Sequence, residues 1–197
     1  MFPATTQILD DFSRADGGVG ANWFNAIGNP GLTISGRKAF GATSGGSSAW
    51  GVPMATGTAA WCRVAALPTS VYIRLLLTPD PVGIVPRITA TYDNTGKLGL
   101  TSFPGGGNTT SIALSPGDWF GVSYDGSLTI TGWTAIAGGG FNSSLTRSVG
   151  FAGAPSGFYA ILDIADDVGA VSAFGASILP GPRLEGAGPF EHGRGAC

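Results

Sequence analysis

The stretch GDWFGVSYDGSLTITGW, Gly117 to Trp133, decides the fold of this 197-residue chain. Apolar residues alternate with small or polar ones on both sides of Asp125-Gly126, as they do in two strands that each bury one face. An Asp-Gly pair between such runs is typical of a two-residue type I′ turn. The stretch therefore predicts a β-hairpin, with strands over Asp118 to Tyr124 and Ser127 to Trp133.

Strand patterns of this kind recur along the chain, whereas helical patterns are nearly absent because Gly, Pro, Thr or a β-branched residue interrupts every window. Short polar breaks such as LPTS and DNTG predict the connecting turns. Many short strands separated by turns predict an all-β antiparallel sandwich or barrel. The other clear strand patterns span Thr58 to Leu67, Ser70 to Thr78, Gly83 to Tyr92, Lys97 to Ser102, Phe158 to Asp166 and Val168 to Leu179.

The length of the chain predicts one domain with two arms. The domain is expected over residues 8–179, after an N-terminal arm at 1–7. From Pro180 the composition shifts to PGPRLEGAGPFEHGRGAC, which is too rich in Pro and Gly for a core strand and predicts an extended arm over 180–197. We expect this arm to contact a neighbouring chain, with folding back on its own domain as the alternative. Its candidate contact residues are Arg183, Phe190, Glu191, His192 and Arg194.

The opening stretch ILDDFSRADGGVGANW, Ile8 to Trp23, concentrates acids and glycines, and it could hold a site or begin the fold. Ile8 and Phe12 alternate with polar neighbours like a half-buried strand, and Trp23 can cover one end of a core. We expect Arg14 to form a structural ion-pair clasp with Asp11 or Asp16. A calcium site at Asp11 or Asp16 is the alternative, although the spacing of an EF-hand loop is absent.

This opening motif resembles the first strand of concanavalin A-like (laminin-G-like) jelly-roll modules, which often carry Asp-Phe-x-Arg-x-Asp-Gly and then Leu-Gly-x-x-Trp. The resemblance spans roughly Ile8 to Ile178 and implies a two-sheet jelly-roll sandwich. Modules of this kind are similar to minor tail and head-decoration proteins of bacteriophages, and they also occur in secreted glycan-binding and glycan-cleaving proteins. The matching positions are Asp11, Phe12, Arg14, Asp16, Gly17, Val19, Gly20 and Trp23, with Val19 in place of the commoner Leu.

The composition of the chain limits the classes of molecule that it is expected to bind. The 34 glycines and only 11% charged residues predict faces that are partly covered by neighbours. Because the arginines are scattered singly, we expect no nucleic-acid binding. No apolar run is long enough for a membrane span, and MFPATTQIL lacks signal-peptide character, so the mature chain is expected to begin here. The chain has only two cysteines, Cys62 and Cys197, and we therefore expect it to be made in a reducing cytoplasm.

Residues for catalysis are sparse. Glycan-cleaving sandwiches need paired carboxylates, but the two glutamates, Glu185 and Glu191, lie in the arm. The acids of LDIADD, Asp163, Asp166 and Asp167, are expected to be hydrogen-bond acceptors at a strand end. With one histidine and no paired cysteines, a metal site or a catalytic triad lacks parts. We therefore predict no enzyme activity, no metal and no cofactor, and we expect FPGGGN (Phe103 to Asn108) to be a flexible loop.

The resemblance, taken with the sparse catalytic residues and the low charge, implies a non-enzymatic structural protein of a phage particle, assembled in the cytoplasm of a bacterial host. It is predicted to dock on a capsid or tail and on copies of itself through its sandwich and its terminal arm. The main alternative is a glycan-binding adhesion module that uses an exposed aromatic ring on a host-surface glycan. A divergent polysaccharide hydrolase or lyase is less favoured. The candidate rings, most of which are expected in the core, are Trp50, Trp61, Trp119, Trp133, Tyr72, Tyr92, Tyr124 and Tyr159.

Overall fold

A computed structural model describes residues 8–42, 44–54, 59–83, 87–125, 128–136, 142–149 and 157–176. These residues form sixteen β-strands and no helix, and no segment of membrane-spanning helix occurs among them. In chain order the strands are β1 (Ile8–Asp10), β2 (Gly17–Gly18), β3 (Trp23–Asn25), β4 (Thr33–Ser35), β5 (Lys38–Phe40), β6 (Gly46–Trp50), β7 (Ala59–Ala66), β8 (Tyr72–Thr78), β9 (Arg87–Asp93), β10 (Lys97–Phe103), β11 (Gly106–Ser111), β12 (Trp119–Tyr124), β13 (Thr129–Ala135), β14 (Asn142–Ser148), β15 (Tyr159–Ile164) and β16 (Ala170–Ala176).

The strands form two antiparallel sheets. Sheet A has the order β14-β13-β12-β7-β16-β5-β4-β2, with β1 also paired to β16, and sheet B has the order β11-β10-β9-β8-β15-β6-β3. Hairpin-connected strands occupy one half of each sheet, while β15 and β16 insert between strands from much earlier in the chain. The predicted all-β, antiparallel two-sheet architecture is confirmed.

The predicted hairpin is formed by β12 and β13, but its turn is longer than two residues. Tyr124 pairs with Ile130, whereas a two-residue turn at Asp125-Gly126 would pair Tyr124 with Ser127. The reason is local: the Asp125 carboxylate accepts the backbone N–H groups of Leu128 and Thr129, at 3.1 and 3.0 Å, and so stabilises a wider loop. Residues 126–127 themselves lie outside the described ranges.

The stretch predicted as a flexible loop, FPGGGN, is a second hairpin instead. β10 ends at Phe103 and β11 begins at Gly106, with Ser102 paired to Gly106. Gly105 and Gly106 have φ values of 138° and 87°, which a residue with a Cβ rarely adopts, so glycine permits the tight reversal. These glycines therefore form the turn of the hairpin whose second strand, β11, is the edge strand of sheet B.

The core lies between the sheets and follows the period-two pattern. Phe120, Val122 and Tyr124 point inward from β12, and the intervening residues point outward. Tyr124 meets Phe158 edge-on, with 5.7 Å between the ring centres. Cys62 is fully buried in this core, and burial raises the pKa of its thiol, which makes it a small packing residue.

One inward position of the opening strand differs from the prediction. Ile8 is 55% exposed, while Phe12 is fully buried. The pairing of β1 with β16 shifts register between Ile8 and Asp10, and Phe12 adopts a positive φ of 53°, so the simple alternation from Ile8 to Phe12 is broken. The predicted arms at 1–7 and 180–197 lie outside the described residues. The same holds for the contact candidates of the C-terminal arm and for the terminal Cys197. These candidates are Arg183, Phe190, Glu191, His192 and Arg194.

Candidate functional site

Asp10 is the centre of a buried clasp at the edge of the sandwich. Both carboxylate oxygens accept hydrogen bonds from Arg14, at 2.9 and 2.7 Å, and the Trp23 indole N–H donates to the same carboxylate at 2.7 Å. Asp10 also accepts the Phe12 backbone N–H at 2.8 Å, and Arg14 donates to the Val19 carbonyl. These hydrogen bonds with Asp10 raise the pKa of Arg14, against the lowering effect of its partial burial. Because Asp10 lies in sheet A and Trp23 in sheet B, the clasp joins the two sheets.

The acids predicted for this clasp bind elsewhere. Asp11 accepts the Ser13 backbone N–H, and Asp16 accepts the Ser35 hydroxyl and the Gly36 backbone N–H. The partner of Arg14 is thus Asp10 and not Asp11 or Asp16, because Asp10 alone faces inward, where a buried charge needs a charged partner. The three carboxylates do not converge, and the described residues contain no cluster of three or more His, Cys, Asp or Glu that could hold a metal.

A pocket of about 240 Å³ adjoins the clasp. The two charged groups at its wall, those of Asp10 and Arg14, are already bonded to each other. The other lining residues carry no charge, so the pocket holds no ionisable group outside the clasp. Its lining residues are Asp10, Arg14, Val19, Gly20, Ala21 and Asn22.

On the outer face of sheet B, Asp163 forms a buried ion pair with Arg74. The Arg74 Nε donates to the Asp163 carboxylate at 2.8 Å and an η nitrogen donates to the same oxygen. The Ser47 hydroxyl donates to the other oxygen at 2.6 Å, and the Asn29 amide donates to Ser47. The guanidinium also lies 4.6 Å from the Tyr72 ring centre. Every oxygen of this carboxylate therefore has a partner within the fold.

Asp166 has a similar structural role at the strand end. It accepts the backbone N–H groups of Thr69, Ser70, Val168 and Gly169, and the Ser70 hydroxyl. Burial alone would raise the pKa of Asp166, but these hydrogen bonds outweigh it and hold that pKa below its usual range. Asp167 is exposed beyond the strand and does not face Asp163 as the second carboxylate of a pair.

Most of the candidate rings lie in or near the core. Trp50, Tyr92 and Tyr124 are buried between the sheets. Tyr72 and Tyr159 lie half-buried on the outer face of sheet B, where Tyr159 packs edge-on against Phe24 with 5.9 Å between ring centres. These five rings are committed to packing.

Three tryptophans form a separate cluster on the outer face of sheet A, which we call the aromatic cluster: Trp61 of β7, Trp119 of β12 and Trp133 of β13. Trp61 is buried at 5% exposure beneath Trp119 and Trp133, which are half-buried. Trp61 and Trp119 meet edge-on with 4.6 Å between ring centres. In the register Gly121 lies directly between Trp61 and Trp133, so no side chain separates the two indoles.

Polar groups border the aromatic cluster. The Ser123 hydroxyl accepts the Trp133 indole N–H at 2.7 Å, which fixes that ring and leaves the hydroxyl proton of Ser123 available as a donor. The exposed Arg63 guanidinium lies 5.6 Å from the Trp119 ring centre, and its Nε donates to the Gly117 carbonyl at 3.2 Å. Half-buried indoles with a cation and a hydroxyl at their rim can bind a ligand that has both apolar faces and polar edges.

The fold is that of concanavalin A-like jelly rolls. The structure is similar to the exoplasmic/lumenal domain of VIP36 in its Ca²⁺/Man3GlcNAc-bound form, with a TM-score of 0.60, 11% identity and coverage of 83% of this chain and 86% of that chain. Lectin I-B4 from Griffonia simplicifolia, in its metal-free form, gives a TM-score of 0.57, 11% identity and coverage of 81% and 94%. A protein described with endo-acting O-glycanases of the human gut microbiota gives a TM-score of 0.60 and 12% identity, and the match covers 88% of this chain and 100% of that chain.

At this level of identity, the comparisons show the fold alone. No protein-family model and no curated protein matches the sequence. The jelly-roll sandwich implied by the opening motif is therefore confirmed, and function has to be argued from the site itself.

Proposed function

We propose that the protein is a non-enzymatic glycan-binding module of a bacteriophage particle, and that the aromatic cluster is its binding surface. The observation that carries the proposal is the pair of half-buried indoles, Trp119 and Trp133, at diagonal positions of paired strands on the outer face of sheet A. They lie on paired strands, so the sheet holds them in place without a mobile loop. The phage setting is supported by the resemblance of the opening motif and by the low charge of the chain.

Indole rings suit sugars for a physical reason. A pyranose presents C–H groups on its faces and hydroxyls on its edge, and an indole offers a flat apolar face that the C–H groups can cover. Ser123 and Arg63 lie at the rim, where the hydroxyls of a stacked sugar need partners. A small, solvent-open surface of this kind binds weakly in one copy. Many copies on one particle would raise the overall avidity by holding the second contact close to the first.

The engagement of the carboxylates supports the non-enzymatic part of the proposal. Asp10, Asp163 and Asp166 each accept several hydrogen bonds from the fold. None of them lies on the outer face of sheet A beside the aromatic cluster. Hydrolysis of a glycosidic bond by the usual route requires two carboxylates on opposite sides of that bond.

The test is glycan binding by the full chain and by single-ring variants. Trp133→Ala and Trp119→Ala should lower the affinity for a bound glycan by about tenfold or more, because each loses roughly 1.4 kcal/mol of stacking and buried apolar area. Phe103→Ala is the matched control, since Phe103 is an exposed ring at the end of β10 in the other sheet. Saturable glycan binding that survives both tryptophan substitutions would refute the assignment of the site.

The particle setting has its own test. Mass spectrometry of purified particles, with antibody labelling in electron micrographs, should detect the protein as a bound component. Recovery of the protein only as a free monomer after lysis would contradict the phage assignment, while leaving the glycan-binding surface open to separate measurement.

A second candidate is a purely structural decoration protein that docks on a capsid or tail. It is favoured by the large apolar side chains exposed at strand ends and loops, such as Val82 at 71%, Ile136 at 63% and Leu128 at 55%. Val82→Ser and Ile136→Ser should then lower the occupancy of the protein on particles, whereas the tryptophan variants should not. A protein with no saturable glycan binding and normal occupancy of the tryptophan variants would favour this candidate.

A further inference from the structure

Arg63 is the charged residue beside the aromatic cluster. It lies on β7, where the register places it between Trp119 of β12 and Ala173 of β16. The outward positions of β7, β12, β13 and β16 otherwise hold apolar, small or hydroxyl side chains. They contain no carboxylate. Within these four strands, Arg63 is therefore the one outward-facing charged side chain.

Two contacts fix the guanidinium without using its terminal nitrogens. The Nε donates to the Gly117 carbonyl at 3.2 Å, and the guanidinium carbon lies 5.6 Å from the Trp119 ring centre. Both η nitrogens keep N–H groups that can be donated. Since the side chain is exposed, these groups are directed to solvent or to a ligand, and little rotamer entropy is lost when they bind one.

The charge of Arg63 is not compensated within the described part of the chain. The ion pairs found there join Arg14 to Asp10 and Arg74 to Asp163. A planar guanidinium with free N–H groups matches the geometry of a carboxylate, which it can bind through two parallel hydrogen bonds.

We infer that the aromatic cluster binds acidic glycans, with Arg63 holding the carboxylate of a uronic acid residue while Trp119 and Trp133 contact the sugar faces. This inference rests on the proposed glycan-binding function and adds the class of ligand. The contribution of Arg63 is limited by its exposure, since solvent and salt screen a surface ion pair. Its effect is therefore one of preference, and the indoles supply the part of the affinity that acidic and neutral sugars share.

The experiment compares glycans that differ only in charge. The probes are polygalacturonate, hyaluronan and glucuronoxylan, each beside its carboxyl methyl ester. Binding to the full chain is measured by calorimetry at 50 mM and 300 mM NaCl. We expect at least one acid to bind about fivefold more tightly than its ester at the lower salt concentration, and the preference to shrink at the higher one.

Three variants assign that preference to the site. Arg63→Gln should abolish the difference between acid and ester, and Arg63→Lys should restore part of it. Trp133→Ala should weaken both forms by the same factor. Arg87→Gln is the matched control, because Arg87 also lies over an aromatic ring, Phe103, but in sheet B.

The outcomes separate this inference from the proposed function. Binding of acid and ester with equal affinity, lost in Trp133→Ala and unchanged in Arg63→Gln, would overturn the acidic preference and leave glycan binding standing. An acid preference that persists in Arg63→Gln would overturn the role of Arg63. The absence of binding to all six probes and to a broad array of neutral glycans would overturn both proposals.

Discussion

The outer faces of the two sheets carry the same pair of groups in opposite settings. On sheet B the Arg74 guanidinium lies 4.6 Å from the Tyr72 ring centre, and on sheet A the Arg63 guanidinium lies 5.6 Å from the Trp119 ring centre. Arg74 is paired with the buried carboxylate of Asp163, whereas no ion pair to Arg63 occurs within the described ranges. An arginine on a ring thus belongs to a buried ion pair on one face and is solvent-exposed on the other.

The difference arises from what covers each face. The segment after β3 lies against sheet B, where Ala26 donates its backbone N–H to the Ser47 carbonyl and Ile27 donates to the Pro81 carbonyl, both at 3.1 Å. Ala49, Leu76 and Ile161 are fully buried there. A charge in such surroundings needs a partner, since an unpaired buried charge costs several kcal/mol. No such pressure acts on the exposed Arg63.

Removing the carboxylate of sheet B should give the largest effect on stability. Asp163→Ala leaves Arg74 without its partner and Ser47 without its acceptor, so we expect the free energy of unfolding to fall by about 4 kcal/mol. Urea denaturation followed by tryptophan fluorescence measures it. Asp167→Ala is the control, because Asp167 is exposed and should change stability by less than about 0.5 kcal/mol. Equal stabilities of the two variants would show that the ion pair is not structural.

The clasp that joins the two sheets should give the next largest effect. Asp10→Ala leaves the buried Trp23 N–H without an acceptor and frees Arg14, which is 38% exposed and can be rehydrated. We expect a loss of about 3 kcal/mol in the same assay. Asp11→Ala, a change at the exposed neighbouring acid, is the control. If Asp11→Ala lowered the free energy of unfolding more than Asp10→Ala, the assignment of Asp10 as the centre of the clasp would be wrong.

Asp166 lies in the connection from β15 to β16 and accepts hydrogen bonds from the connection between β7 and β8. Its contribution to stability should depend on pH. The pKa of Asp166 is lower in the folded protein than in the unfolded chain. Its stabilising contribution is therefore complete above the unfolded pKa, near 4, and is lost as the pH falls through the folded pKa. We expect Asp166→Asn to cost about 2 kcal/mol at pH 7 and less at pH 3. Unfolding curves at the two pH values would contradict this if the cost were constant.

The smallest effect on stability is expected at the aromatic cluster. Trp133→Ala removes a half-buried ring from the outer face of sheet A, so we expect a loss of about 1 kcal/mol, well below that of Asp163→Ala. Near-native unfolding curves, measured beside the binding assay, would sharpen the contrast between a face that stabilises the fold and a face proposed to bind a glycan. A loss as large as that of Asp163→Ala would indicate that the ring is a core residue.

The sequence predicts the strands well because their pattern is local. Once Phe120 and Val122 are assigned to the core, the period of two sends Trp119 outward, and the same parity places Trp133 on the outer face of β13. The aromatic cluster could have been found in this way. What parity cannot show is that β7 lies beside β12, which adds Trp61 and Arg63 to the surface, since that pairing joins residues about 60 positions apart.

The opening motif shows the opposite limit. Three acids surround Arg14 in the sequence, and their spacing does not rank them as partners. Asp10 is selected by the third dimension, because Trp23 from the other sheet donates to it and its side chain is buried. Likewise, the turn after Tyr124 is longer than the predicted two residues because the Asp125 carboxylate accepts the backbone N–H groups of Leu128 and Thr129.

The first and last described strands lie side by side. Ile8 of β1 pairs with Gly175 of β16, and Gly175 pairs in turn with Trp61 on its other side. Whatever is fused to either end of the 8–176 body, an affinity tag, a fluorophore or a display scaffold, is therefore tethered within two strands of the aromatic cluster. A label for binding measurements is therefore better placed on the other side of the sandwich, for example at the exposed Val82 in the loop after β8, whose neighbour Pro81 contacts Ile27 over the outer face of sheet B.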